Sequence, residues 1–235
     1  ERSLIGQDER LSGPVAVTCC DHFVAAIVLR ELLPFAQQYP GIELGFTTDS
    51  RSFDLSKREA DVAIRTLARG ATPPEHLIGT RLAPVTVANY VATAHAARLD
   101  PAKAEARWVS FDERKIHEML IAQSSYPKVP PWGMFGSLEV LVVAAQQGFG
   151  LAMLPTYVGD RAAGLQRLPN PDLRHVADLW LLSHPDLRDN ARFRATRKAV
   201  SAAFKKHAAL FTGEGWLAGA PCRRRCRAVR RGTVP

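Results

Sequence analysis

The order of hydrophobic periods in the first 65 residues most restricts what this chain can fold into. Residues 15–18 (VAVT) alternate apolar and polar, the period of a strand. Residues 23–39 place Ile27, Leu32, Leu33 and Phe35 at helical spacing, with Asp21 as a plausible N-cap. Pro34 lies inside that helix and is expected to kink it, and Pro40–Gly41 stops it. Ile42, Leu44 and Phe46 alternate again, residues 53–58 read as a short helix, and DVAIR at 61–65 reads as a buried strand. Strands alternating with helices imply a parallel sheet with right-handed crossovers. Ligands of such sheets gather beyond the carboxyl ends of strands, beside helix N-termini. Attention therefore falls on TCCDH, residues 18–22, and on Arg65–Thr66.

A second α/β region begins before the first is closed. Residues 77–82 and 85–92 read as two strands, 95–98 as the opening of a helix, and 108–111 as a strand. Residues 124–136 hold three prolines and read as a loop. Residues 138–147 read as a helix with Ser137 at its N-cap, Glu139 in its first turn and Gly148 past its end. Residues 151–154 form a buried strand closed by Pro155, 178–183 a last strand, and 191–208 a long amphipathic helix. The last strand and helix have no sheet of their own. A chain that leaves one lobe, builds another and returns accounts for this, with a cleft between the lobes.

Composition excludes several classes. At 46% hydrophobic and 23% charged residues the chain is globular rather than disordered. No apolar run approaches the ~20 residues of a membrane span, and ERSLIGQDER lacks a signal peptide's apolar stretch, so a cytoplasmic location is expected. The net charge of +8 suggests nucleic acid, yet six arginines after Thr212 face only Glu214, leaving the body near +3. The excess lies in a basic tail, expected to be disordered. Cys222 and Cys226 have no second ligand pair nearby, which argues against zinc.

Residues 19–23, CCDHF, admit four readings: a Cys–His nucleophile, a vicinal disulfide, a soft-metal site through Cys19, Cys20 and His22, or a first loop of a ligand cleft. The physics favours the last. First-turn N–H groups lack internal partners and favour an anion, although Asp21 would oppose one unless engaged as an N-cap. A Ser137/Asp21/histidine hydrolase triad has the residue types but no GxSxG elbow.

The stretches LSGPVAVTCCDHF, LLPFAQQYPGIEL, DLSKREADVAIR, SLEVLVVAAQQGFGLAMLP and LWLLSHPDLRDNARFRA, taken in order, resemble the effector-binding domain of LysR-type transcriptional regulators across residues 11–207. The resemblance implies an α/β type 2 periplasmic-binding-protein fold, with two Rossmann-like lobes joined by two crossover strands. Residues 14–84 with 180–207 would form lobe I and 85–179 lobe II. Residues 1–13 would be the remnant of a linker helix, and 208–235 the tail. It further implies a small-molecule effector, possibly acidic, held by Thr18, Cys19, Cys20, Asp21, His22, Arg65, Thr66 and Ser137. No catalytic residue, metal or cofactor is expected, nor any membrane. A homodimer or homotetramer is expected, with DNA bound only through a winged helix-turn-helix that this chain lacks. A solute-binding protein for transport and an enzyme on the same fold remain the alternatives.

Overall fold

The computed structural model describes residues 11–48, 60–111 and 114–214. The expected helix over 53–58, residues 1–10 of the linker remnant expected over 1–13, and the arginines of the tail lie outside these residues.

The first half follows its sequence pattern closely. Strand β1 (Gly13–Cys19) pairs in parallel with β2 (Ile42–Thr48) and β3 (Val62–Ala68). Helix α1 (His22–Gln38) crosses between β1 and β2; Asp21 caps it by accepting from Val24 N–H at 2.8 Å, and Pro34 lies within it. The apolar face Val24, Val28 and Leu32 packs on Val15, Val17 and Ile64, all essentially without exposure. Each such side chain contributes ~1.5–3 kcal/mol of burial.

Two long strands carry the chain between halves. Strand β4 (Ile78–Ala92) and β9 (Arg174–Ser183) pair antiparallel from Ile78↔Ser183 to Val87↔Arg174. Two strands were expected over 77–92, but one continuous strand forms. Pro84 lacks an N–H, and register irregularities between Arg81 and Ala83 and between Val85 and Thr86 absorb it. Asp178, largely buried on β9, fixes this stretch: it accepts from Arg81 Nε at 2.7 Å and lies 2.9 Å from His175 Nε2.

The second half holds β5 (Trp108–Phe111), α2 (Arg114–Ala122), β6 (Pro131–Phe135), α3 (Leu138–Gln146), β7 (Leu151–Pro155), α4 (Thr156–Gly159) and β8 (Leu165–Arg167). Among the described residues the strand order is β2-β1-β3-β9-β4-β7-β5-β6, with β8 beside β4. The sheet is therefore mixed rather than all parallel: β9 runs antiparallel to β3 and to β4, and β7 antiparallel to β4. This is the two-lobed type 2 periplasmic-binding-protein arrangement.

Three local expectations change. Residues 93–95 form a single 3₁₀ turn instead of opening a helix. The proline-bearing segment 124–136 contains β6, an edge strand that Pro131 opens opposite Trp108, at the first position of the strand where its missing N–H is tolerated. Residues 208–212, expected to belong to the tail, instead form a further helix after α5 (Ala191–Lys206), and this α6 (Ala208–Thr212) buries Phe211 completely against Tyr157 and Phe204. Arg167 donates to Gly213 O at 2.8 Å and Thr156 Oγ1 to Leu210 O at 2.7 Å, so α6 is tied to the second half.

Candidate functional site

The ends of β1 and β3 lie side by side, with Thr18 opposite Ala63 and Cys19 opposite Ile64. This register brings Arg65 against β1. Its guanidinium donates to Thr18 Oγ1 at 3.0 Å and to Ile64 O at 2.9 Å. Thr66 meets the Cys20 thiol. Five of the expected residues, Thr18, Cys19, Cys20, Arg65 and Thr66, thus form one cluster from chain positions nearly fifty apart. Thr18 and Cys19 are fully buried, so their side chains are closed off from solvent, whereas Cys20, Asp21 and His22 reach the surface.

The N-terminus of α1 meets the second half of the sheet at two points. Asp21 Oδ1 caps its helix while Oδ2 accepts from Tyr157 O–H at 3.0 Å, on α4. One residue on, His22 Nδ1 lies 2.6 Å from Glu139 Oε1 in the first turn of α3. Ser137 caps α3, accepting from Val140 N–H at 3.2 Å, and also contacts Glu139. A chain of contacts therefore runs Thr66–Cys20–Asp21–His22–Glu139–Ser137. Two helix N-termini from opposite halves face one another, each already carrying a carboxylate that complements its dipole.

The electrostatics separate these groups by role. Contact with Cys19, then burial, then the charge of Asp21 push the Cys20 thiol well above its ordinary value, and Thr66 offsets only part of this. That is the reverse of an activated thiolate. Burial raises Asp21, with the bonds from Val24 and Tyr157 opposing it. Tyr157 is raised first by its own burial and then by the Asp21 charge, so its hydroxyl stays a donor. Burial works against the Glu139 charge, but the bonds from His22, its own N–H and Ser137 hold the carboxyl below its ordinary value. Among the described residues no group of three or more His, Cys, Asp or Glu is placed to hold a metal ion. No described helix is long and apolar enough to cross a membrane.

Tyr157 and Glu139 were not among the expected site residues. Glu139 is read from sequence as a first-turn acid and nothing more. Tyr157 follows Pro155 at the carboxyl end of β7, and the strand-end rule that singles out residues 18–22 and Arg65 applies there equally.

A family model described as the LysR substrate binding domain matches residues 8–205. No curated protein matches the chain. Among solved structures, the effector domain of the transcriptional regulator AmpR of Pseudomonas aeruginosa is 18% identical, with a TM-score of 0.68 over 84% of this chain and 97% of that one. The regulatory domain of CrgA, a LysR-type transcriptional regulator from Neisseria meningitidis, is 19% identical, with a TM-score of 0.68 over 82% and 99%. The AmpR effector binding domain from Citrobacter freundii is 15% identical, with a TM-score of 0.67 over 83% and 100%. At these identities the likeness establishes the fold.

Proposed function

This chain belongs to the LysR substrate binding domain family, and we propose that it is the ligand-sensing regulatory domain of a LysR-type transcription factor. In this reading residues 14–84 with 180–207 act as one lobe and 85–179 as the other, and a small metabolite held between them changes their relative placement. DNA is bound by a separate winged helix-turn-helix, and the domain itself performs no chemistry on its ligand.

The observation that carries the reading is the pair of helix N-termini bridged by Asp21–Tyr157 and His22–Glu139. Both bonds cross between the halves of the sheet, so a ligand competing for either one alters the contact between lobes directly. The chemistry of the site also narrows the ligand. Arg65 is engaged by Thr18 and the Ile64 carbonyl, and two carboxylates stand at the helix starts. A metabolite carrying a hydrogen-bond donor suits Asp21 and Glu139, and a carboxylate on the same molecule would draw on Arg65.

A thermal-shift series of polar metabolites tests this. A ligand at a hundred times its dissociation constant stabilises the fold by about 2.7 kcal/mol. That gain should fall at least tenfold in affinity, about 1.4 kcal/mol, in Asp21→Asn and Arg65→Gln. A metabolite whose effect is indifferent to both substitutions, or one that the protein turns over, argues against the reading.

A further inference from the structure

We infer that the exposed ridge of α5 is a contact surface for the phosphate backbone of a nucleic-acid duplex. The helix Ala191–Lys206 holds Arg192, Arg194, Arg197, Lys198, Lys205 and Lys206 and no acidic residue. Three of these cations are used inside the fold. Arg192 donates to Ser12 O at 3.4 Å, Arg197 donates to Leu187 O at 3.1 Å and Arg188 O at 2.7 Å, and Lys206 reaches Glu31 at 2.6 Å. Arg194, Lys198 and Lys205 are exposed, and none of them has an ion-pair partner among the described residues. Arg194 reaches only the Asp189 carbonyl, at 3.5 Å. At 3.6 residues per turn and 1.5 Å per residue the three lie within about 40° of one line and span about 16 Å, with Ser201 on the same line. The loop before the helix adds the exposed Arg188. Burial, then the charge of Arg194, push the Arg197 guanidinium below its ordinary value; Arg188 adds to this and Asp189 opposes it. Asp186, the other acid of that loop, lies 3.3 Å from His184 Nδ1.

This arrangement works against the helix that carries it. Arg192 and Arg194 stand in the first turn, where the macrodipole disfavours cations and no acid offsets them. Arg194 and Lys198 are one turn apart and repel each other. Glutamine or alanine would form the same helix without that repulsion. The surroundings of the ridge select the partner. Between Arg174 and Glu214 no large apolar side chain is exposed, so the ridge offers neither an anchor for a membrane nor the core of a protein interface. Phe193 and Phe204 are buried, which leaves no ring on which unpaired bases would stack. What remains is a straight row of cations, and its complement is a rigid row of phosphates. A duplex supplies one, with a charge every ~1.7 Å of its axis. Contact of this kind carries no sequence information. It adds a backbone term to the operator reading of the separate winged helix-turn-helix, and it is independent of what the lobes hold between them.

Fluorescence anisotropy of a labelled duplex of arbitrary sequence, about 30 base pairs long, titrated with the 235-residue protein across a salt series, is the test. Residues 215–235 stay in every variant, so the basic tail contributes equally to all of them. The ridge variant combines Arg194→Gln, Lys198→Gln and Lys205→Gln. The control combines Arg69→Gln, Lys128→Gln and Arg161→Gln, which removes the same charge from exposed positions outside α5. In the ridge variant the slope of log affinity against log salt should shrink by about two to three units, and in the control by less than about one. The single variant Arg194→Gln should take about one unit from the slope. All these side chains are exposed, so the thermal midpoints should not fall; if the triple ridge variant does not fold, the single variant decides. No binding at tens of micromolar protein in low salt overturns the inference. So does a slope unchanged in the ridge variant, which leaves all binding to the tail, or an equal loss in ridge and control, which reduces the effect to net charge. Poly-glutamate or phosphatidylserine vesicles that displace the duplex at equal charge concentration, and lose that ability in the ridge variant, make the ridge a site for an acidic protein or a membrane, and the inference fails.

Discussion

At the scale of single residues, Tyr157 has the clearest consequence. Its ring packs on Phe211 while its hydroxyl donates to a carboxylate that is also a helix cap. Tyr157→Phe keeps the ring and leaves Asp21 Oδ2 with only the weak Cys20 thiol contact. A hydrogen bond to a charged group contributes about 1.5–3 kcal/mol, so urea denaturation should show a loss near the lower end of that range. The Asp21 carboxyl should titrate still higher, because a bond that lowers it is gone; an unchanged Asp21 titration by NMR would show the bond to be idle. His117 makes a separate prediction. Burial alone pushes it from 6.5 down to about 4, and it lies edge-on to Trp108, its Nε2 without a partner. The unfolded chain takes up a proton there before the folded one does. The stability tied to neutral His117 is complete above pH 6.5 and is lost as pH falls toward 4. About 2 kcal/mol should disappear between pH 7 and pH 5. His117→Phe should flatten that part of the pH profile, and a profile that keeps its slope in the variant would assign the dependence to other groups.

At the scale of elements, α6 is five residues long yet closes the core. Phe211 has no exposure, and its neighbours Thr156, Leu210, Arg167 and Gly213 tie the segment to the second half. Phe211→Ala should cost about 3–5 kcal/mol, the range for a fully buried aromatic, seen as a drop in the denaturation midpoint at unchanged slope; a loss below 1 kcal/mol would mean the segment is an accessory. No sequence pattern announces this role, since one phenylalanine in AALFT cannot show what it will meet. The same limit explains the other differences. Helix α1 is legible because its cap, period and stop all lie within twenty residues. β6 is hidden because proline and glycine in PWGMF speak locally for a loop, and only pairing with β5 overrides them. Likewise β4 divides at Pro84 when read locally, and the antiparallel partner β9 holds it together. The strand ends that gather Thr18, Cys20, Arg65 and Thr66 are legible from alternation, and so is the Asp21 cap. The bonds from Asp21 to Tyr157 and from His22 to Glu139 span more than a hundred residues, and no periodicity reaches that far.

At the scale of the whole molecule, the exposed apolar residues argue for pairing. On α1, Leu29 and Leu33 are 45% and 59% exposed and lie one turn apart; on α3, Val140 and Val143 are 51% and 55% exposed and also neighbour each other. The two strips belong to different halves of one sheet. A two-fold axis that lays α1 of one copy on α3 of the next uses each strip twice, so a closed dimer buries all four strips. A dissociation constant of about 1 μM corresponds to roughly −8 kcal/mol, and burial of four such strips at ~25 cal/mol per Å² supplies a substantial part of it before the entropy of association is subtracted. Sedimentation at tens of micromolar protein should therefore show dimers or larger, and Leu33→Glu should shift them to monomer without lowering the thermal midpoint of the monomer, because Leu33 is the most exposed of the four. A wild-type chain that sediments only as monomer, or a Leu33→Glu variant that associates as well as the parent, would move the contact elsewhere and leave the two strips unexplained.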